Sequence, residues 1–217
     1  MSNLEKLMIY FLEKFPHNLG RTKLIKAIYL FDCEWYRNFG ETFSGLKYER
    51  DYNGPFDTDF YEAKDNLCEG GYISEVMYEY PGGKGFEISI QREYQYKEDL
   101  LDPLSLNIAD EIIGKLKNQP LKTFLDEAYS TEPMLNILNT ENSRSVKLLG
   151  RDLDMDKLKK SPEPLFNMQE IKEAANNLNT ENRGSDEEYN KTIINEMNDL
   201  SECRERVERI WQLTGEK

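Results

Sequence analysis

The side chains from which enzymes build catalysis are few and scattered in this 217-residue chain. Its one histidine, His17, lies in a turn beside Asn18 with no Asp, Glu or Ser in a recognisable relation to it, so it reads as an exposed turn residue rather than a general base. Cys33, Cys68 and Cys203 are odd in number and widely spaced, which suits neither a disulfide framework nor a zinc site. Cys33 and Cys68 fall within helical patterns and read as small core residues. The run Gly82-Gly83-Lys84-Gly85 invites a phosphate-loop reading, but it lacks the hydroxyl after the lysine and the strand, loop and helix setting that such loops need. A tight hairpin accounts for its glycines. The many carboxylates are spread as on a solvated surface, with no paired acid and base. The expectation is a binding module with no catalytic residue, no metal and no cofactor.

Charge narrows what such a module would bind. With 41 acidic against 28 basic residues, a formal net charge of -13 repels phosphate backbones at long range. That weighs against nucleic acid and suits a partner with a basic surface. The opening MSNLEKLMIYF lacks a basic stretch ahead of a long apolar one, and no apolar run approaches spanning length, so a cytoplasmic protein without a membrane partner is expected.

The elements that must position any binding surface follow from periodicity. Ser2 with Glu5 is a capping-box pattern, and Leu4, Leu7, Met8, Phe11, Leu12 and Phe15 form the stripe of a first helix that ends before Pro16. A second helix, capped by Thr22, repeats Leu24, Ile28, Phe31 and Trp35 down one face, widened by Ile25, Ala27, Leu30 and Cys33. Apolar over most of its circumference, it belongs at the centre of the domain. Gly54-Pro55 reads as the opening of a third helix that continues through Phe60, Tyr61, Ala63 and Leu67 and is closed by Gly70-Gly71. A β-hairpin is expected over residues 72–91, because Val76, Tyr78 and Tyr80 alternate before the Pro81-to-Gly85 turn and Phe86, Ile88 and Ile90 alternate after it.

Two further helices follow, one through Ile108, Ala109, Ile112, Ile113 and Leu116 and one opening at Pro120, with a short turn of helix after Pro133. Residues 139–164 read as a polar linker. Residues 165–217 read as a helical extension, in which Ile193, Met197, Leu200, Arg204, Val207 and Trp211 alternate by four and three as a seam for another helix. The fold class expected is therefore mainly α (α+β): a compact helical domain over residues 1–138 with one β-hairpin after the third helix, plus a C-terminal helical extension.

Several short segments carry a resemblance. Thr22-Lys23-Leu24, the run Ile28 to Asp32, Phe43-Ser44-Gly45-Leu46-Lys47-Tyr48, Asn53-Gly54-Pro55 before a helix bearing Tyr61, and Leu125 to Ala128 leading to Tyr129-Ser130-Thr131-Glu132-Pro133 are similar to the Panacea family, the SocA-like antitoxin domain. The resemblance spans residues 4–138 and marks Thr22, Lys23, Asp32, Gly45, Gly54, Pro55, Glu132 and Pro133 as motif positions. It implies an antitoxin that neutralises a protein toxin encoded nearby by direct binding, and in the SocA case delivers that toxin to a protease.

Aromatic residues gather around the second helix and its loop, and Trp35, Tyr36, Tyr48, Tyr52 and Phe56, with Arg204 and Trp211 of the extension, are the partner-binding candidates. A different reading is also open. Three helices followed by a hairpin is the element order of a winged helix-turn-helix DNA-binding regulator. Its third helix would face phosphates with Asp57, Asp59, Glu62, Asp65 and Glu69 against Lys64, so it needs a basic patch assembled from Lys23, Lys26, Arg37, Lys47 and Arg50.

Overall fold

The capping box at the N-terminus forms as its spacing predicts: Glu5 N–H donates to the Ser2 hydroxyl (3.2 Å) and Ser2 N–H to the Glu5 carboxylate (2.8 Å), opening α1, Asn3–Lys14. A computed structural model describes residues 1–81, 83–91 and 100–159, so the seam bearing Arg204 and Trp211 lies outside the described residues. Helix α2, Arg21–Phe39, is the centre of the domain and packs against α1, α4 (Pro103–Leu116) and α5 (Leu121–Ser130). Phe11 of α1 meets Phe31 of α2 edge to face, with ring centroids 6.4 Å apart. Burying each such ring stabilises by about 1.5–3 kcal/mol. Thr22 is not the cap of α2. The helix and its cap begin two residues earlier, with Gly20 at the N-cap and no side-chain cap bond.

Gly54-Pro55 does not open a helix either. Strands β1, Glu49–Asp51, and β2, Gly54–Phe56, form a small antiparallel hairpin with Glu49 opposite Phe56 and Asp51 opposite Gly54. Arg50, opposite Pro55, turns its main-chain groups the other way: its N–H donates to Arg151 O (2.8 Å) and its carbonyl accepts from Gly150 N–H (2.8 Å). The missing N–H of Pro55 therefore faces away from the ladder, where proline is tolerated. Gly54 has a φ of 92°, and a Cβ there would stand 3.1 Å from the Tyr129 ring, so the turn demands glycine twice over. Helix α3, Asp59–Glu69, starts instead at Asp57, whose carboxylate accepts from Asp59 N–H (3.0 Å) and from Lys47 N–H (2.6 Å).

The expected β-hairpin follows α3: β3, Ile73–Tyr80, pairs antiparallel with β4, Gly83–Ile90, from Ile73 opposite Ile90 to Tyr80 opposite Gly83. Asp102 then caps α4 by accepting from Leu104 N–H (3.0 Å) and Ser105 N–H (3.1 Å), and Pro120 precedes α5. The fold class is mainly α (α+β), with the β3–β4 hairpin after the third helix. Among the described residues no helix is long and apolar enough to cross a membrane.

The stretch expected as a linker begins inside a helix. After Thr131, α6 runs Glu132–Arg144, and the chain then returns along β1: Leu153 N–H donates to Tyr48 O (2.8 Å), and Leu153 and Leu158 are buried. Residues 139–159 are thus part of the packed domain. Residues 160–164 lie outside the described residues.

Candidate protein-binding surface

The motif residues of the sequence tie the fold together from within. Asp32 is fully buried in α2 and accepts from Ser44 N–H (3.1 Å), the Ser44 hydroxyl and the Tyr48 hydroxyl (2.6 Å), which fixes the loop holding Gly45. Burial pushes its carboxyl up to about 6, against the pull of the Ser44 and Tyr48 donors. Lys23 reaches the carbonyl of Gln119 (3.0 Å) over the Phe124 ring, and Glu132 accepts from Arg37 (2.7 Å), which also binds Glu34 (2.6 Å). Pro133 is buried in the first turn of α6. The Thr131 hydroxyl donates to Ala128 O (2.9 Å), so the Tyr29 hydroxyl 2.6 Å away donates to it. These contacts join α2 to the loop that follows it, to the turn between α4 and α5 and to the start of α6.

Two cations of the expected basic patch are instead buried and complete this frame. Lys26, 1% exposed, donates to the carbonyl of Pro55 (2.5 Å), and desolvation brings its ammonium down to about 7 despite the attraction of Asp51. Arg50 donates to Glu141 (3.2 Å), the Tyr129 hydroxyl (3.1 Å) and the carbonyl of Asp51, while Glu141 also accepts from Leu148 N–H (2.8 Å). The thiol of Cys33 is pushed up by burial, so it offers no thiolate at neutral pH.

These placements undo the basic patch on which a DNA-binding reading depends. Lys26 and Arg50 are inside the fold, Arg37 is bound to two carboxylates, and Lys23 lies over Phe124. On α3, Asp59, Glu62, Asp65 and Glu69 are exposed, whereas Lys64 is buried and paired with Asp65 (2.5 Å) and Glu75 (3.1 Å). Lys47 is exposed but stands without the other four, and the helix that would enter a groove presents carboxylates.

The aromatic candidates separate as well. Tyr48 is buried and committed to Asp32, with its ring edge-on to Tyr29 (4.9 Å), so it is a core residue and not an anchor. Trp35 is half-buried in a cluster with Phe31, Phe39 and Phe43. Phe56 is half-buried against Phe60 and Tyr61. Tyr36 remains at the edge, its hydroxyl donating to Asp156 (2.6 Å), and Tyr52 projects from the β1–β2 turn, 69% exposed. Among the described residues no ring contact joins Tyr36 or Tyr52 to another aromatic, so the candidates do not form one surface.

The surface that does form lies on the β3–β4 hairpin. Val76, Tyr78 and Tyr80 share the face opposite Ile73 and Ile88, which are buried, and they are 60%, 50% and 51% exposed. Met77, on the other face, is 49% exposed. Across the ladder Tyr78 faces Gly85 and Tyr80 faces Gly83, and a Cβ on Gly85 would fall 2.3 Å from the Tyr78 ring. The glycine thus lets Tyr78 lie flat over the partner strand. The two tyrosine rings stand 6.2 Å apart and make a continuous aromatic strip. Beside them a groove of about 720 Å³ runs to the start of α2, where the Arg21 guanidinium stacks on Phe86 (3.4 Å) and pairs with Glu75. Exposed apolar strips of this kind mark sites of protein contact. The signal was present in the sequence as the alternating set Val76, Tyr78 and Tyr80, with Met77 on the other face, and as glycines opposite tyrosines.

The fold and this surface define a helical scaffold that presents an aromatic hairpin. Comparisons of the chain with protein-family models, with curated proteins and with solved structures return no match.

Proposed function

We propose that this chain is a cytoplasmic antitoxin of the Panacea type, which neutralises a cognate protein toxin by direct, stoichiometric binding through the β3–β4 hairpin. The observation that carries the reading is the exposed strip of Val76, Tyr78 and Tyr80. Tyrosine is among the residues enriched at interface hot spots, where truncation costs about 2 kcal/mol or more. The motif segments that resemble the family support the toxin as partner, and the net charge of -13 suits a toxin with a basic, RNA- or ribosome-directed surface. Delivery of the bound toxin to a protease is the narrower form of the same function, because it requires a second surface.

The test is co-expression with the product of the neighbouring open reading frame. Growth arrest by the neighbour alone, its relief by this chain and co-elution of the two are the expected results. Tyr78→Ser with Tyr80→Ser is expected to abolish relief while the protein stays folded, since both rings are half exposed. Full relief by the double variant would move the contact away from the hairpin.

A further inference from the structure

The hairpin has a free edge as well as a face. Gln91 N–H donates to Tyr72 O (2.9 Å), and hydrogen bonds in an antiparallel ladder alternate from such a pair, so Ser74, Val76, Tyr78 and Tyr80 direct their main-chain groups at β4. Ile88, opposite Glu75, confirms the phase by donating its N–H away from β3, to Leu19 O (2.8 Å). Glu75, Met77 and Glu79 must therefore direct their N–H and C=O groups outward. Among the described residues no hydrogen bond reaches them there. Among the described residues the edge of β4 is covered at Leu19 while the edge of β3 carries no partner strand.

From this geometry we infer that β3 receives an extended, basic segment of the toxin as a third antiparallel strand, joined through the main-chain groups of Glu75, Met77 and Glu79. A two-stranded hairpin is marginal by itself and a third strand consolidates it. Open edges are templates for strand addition, and β3 has neither lysine nor proline to block one, its charges being the carboxylates of Glu75 and Glu79. Charge selects the occupant. Helix α3 and β3 carry exposed Asp65, Glu69 and Glu79 against one exposed lysine of β4, Lys84 opposite Glu79, and Lys64 is already engaged by Asp65 and Glu75. A second copy of this chain, also at -13, would meet like charge. Side chains alternating along the added strand would reach Val76 and Tyr78 on one face and Met77 on the other.

This inference rests on the antitoxin reading, and the experiment separates the two. Wild-type protein, Met77→Pro and Glu79→Pro are titrated with the purified neighbouring gene product, and amide hydrogen exchange is followed in the free protein and the complex. Proline at either position removes an outward donor and no ladder bond, so both variants are expected to keep the exchange protection of Val76 and Tyr78. Their affinity is expected to fall about tenfold or more, through the lost main-chain bond and the steric block to the incoming strand. In the wild-type complex the amides of Glu75, Met77 and Glu79 are expected to gain protection. A complex that forms with those amides unchanged and both proline variants at wild-type affinity overturns strand addition and leaves neutralisation standing. A wild-type chain that neither binds nor neutralises the product overturns both.

Discussion

Arg50→Ala is expected to lower the stability of the protein by about 3–5 kcal/mol, because it leaves Glu141 as a buried, unpaired charge. The guanidinium is 4% exposed and makes three kinds of contact at once: with the Glu141 carboxylate, with the Tyr129 hydroxyl and with the carbonyl of Asp51. The loss would spread beyond the pair. Glu141 also holds Leu148 N–H, which anchors the return segment that hydrogen-bonds Arg50 and Tyr48 through Gly150, Arg151 and Leu153. Urea unfolding measures the cost. Replacing both partners, Arg50→Met with Glu141→Met, is expected to recover most of it, since an apolar pair leaves no charge uncompensated. A single variant within about 1 kcal/mol of wild type would show the pair to be of surface type.

Lys26→Met is expected to change the pH dependence of stability more than its value at alkaline pH. Folding lowers the ammonium from 10.5 to about 7, first through desolvation, with Asp51 opposing the shift and Arg50 adding to it. A lowered value means that the unfolded chain binds this proton more tightly. The stability associated with Lys26 is therefore present above pH 10.5 and is lost as pH falls toward 7, by about 4 kcal/mol for a shift of this size. The methionine variant has no such loss. Its unfolding free energy relative to wild type should rise steadily between pH 10 and pH 7 and level off below. A difference that stays flat across that window would place the Lys26 ammonium in contact with solvent.

Local signals made much of the fold legible and tertiary ones did not. The capping box of Ser2 and Glu5, the hairpin alternation from Ile73 to Ile90 and the start of α5 after Pro120 depend on neighbours in the chain, and each formed as its spacing indicates. Gly54-Pro55 was ambiguous because the pair suits both a first helical turn and a strand edge. The deciding partner of β1 is the segment around Arg151, about a hundred residues away in the chain by the reach of such non-local pairing. The return segment escaped because Leu148, Leu153 and Leu158 are spaced by five, which is neither a helical nor a strand period.

The site was less legible than the fold for the same reason. Periodicity marks Lys26 and Asp32 as polar interruptions of α2, and only Pro55, Ser44 and Tyr48 give them a reason to be buried. By position Tyr48 is a loop anchor, and its hydroxyl on Asp32 makes it a core residue. Conversely, alternation marks Val76, Tyr78 and Tyr80 as strand residues, whereas their exposure follows from how the hairpin stands away from the core, which alternation does not encode.

Isothermal titration of the purified neighbouring gene product with wild-type protein and with the Tyr78→Ser, Tyr80→Ser variant tests the hairpin as the toxin contact most directly. A stoichiometric complex with wild type, weakened about a hundredfold or more by the double variant at an unchanged melting temperature, is the predicted result. Equal affinity for the two proteins would contradict it.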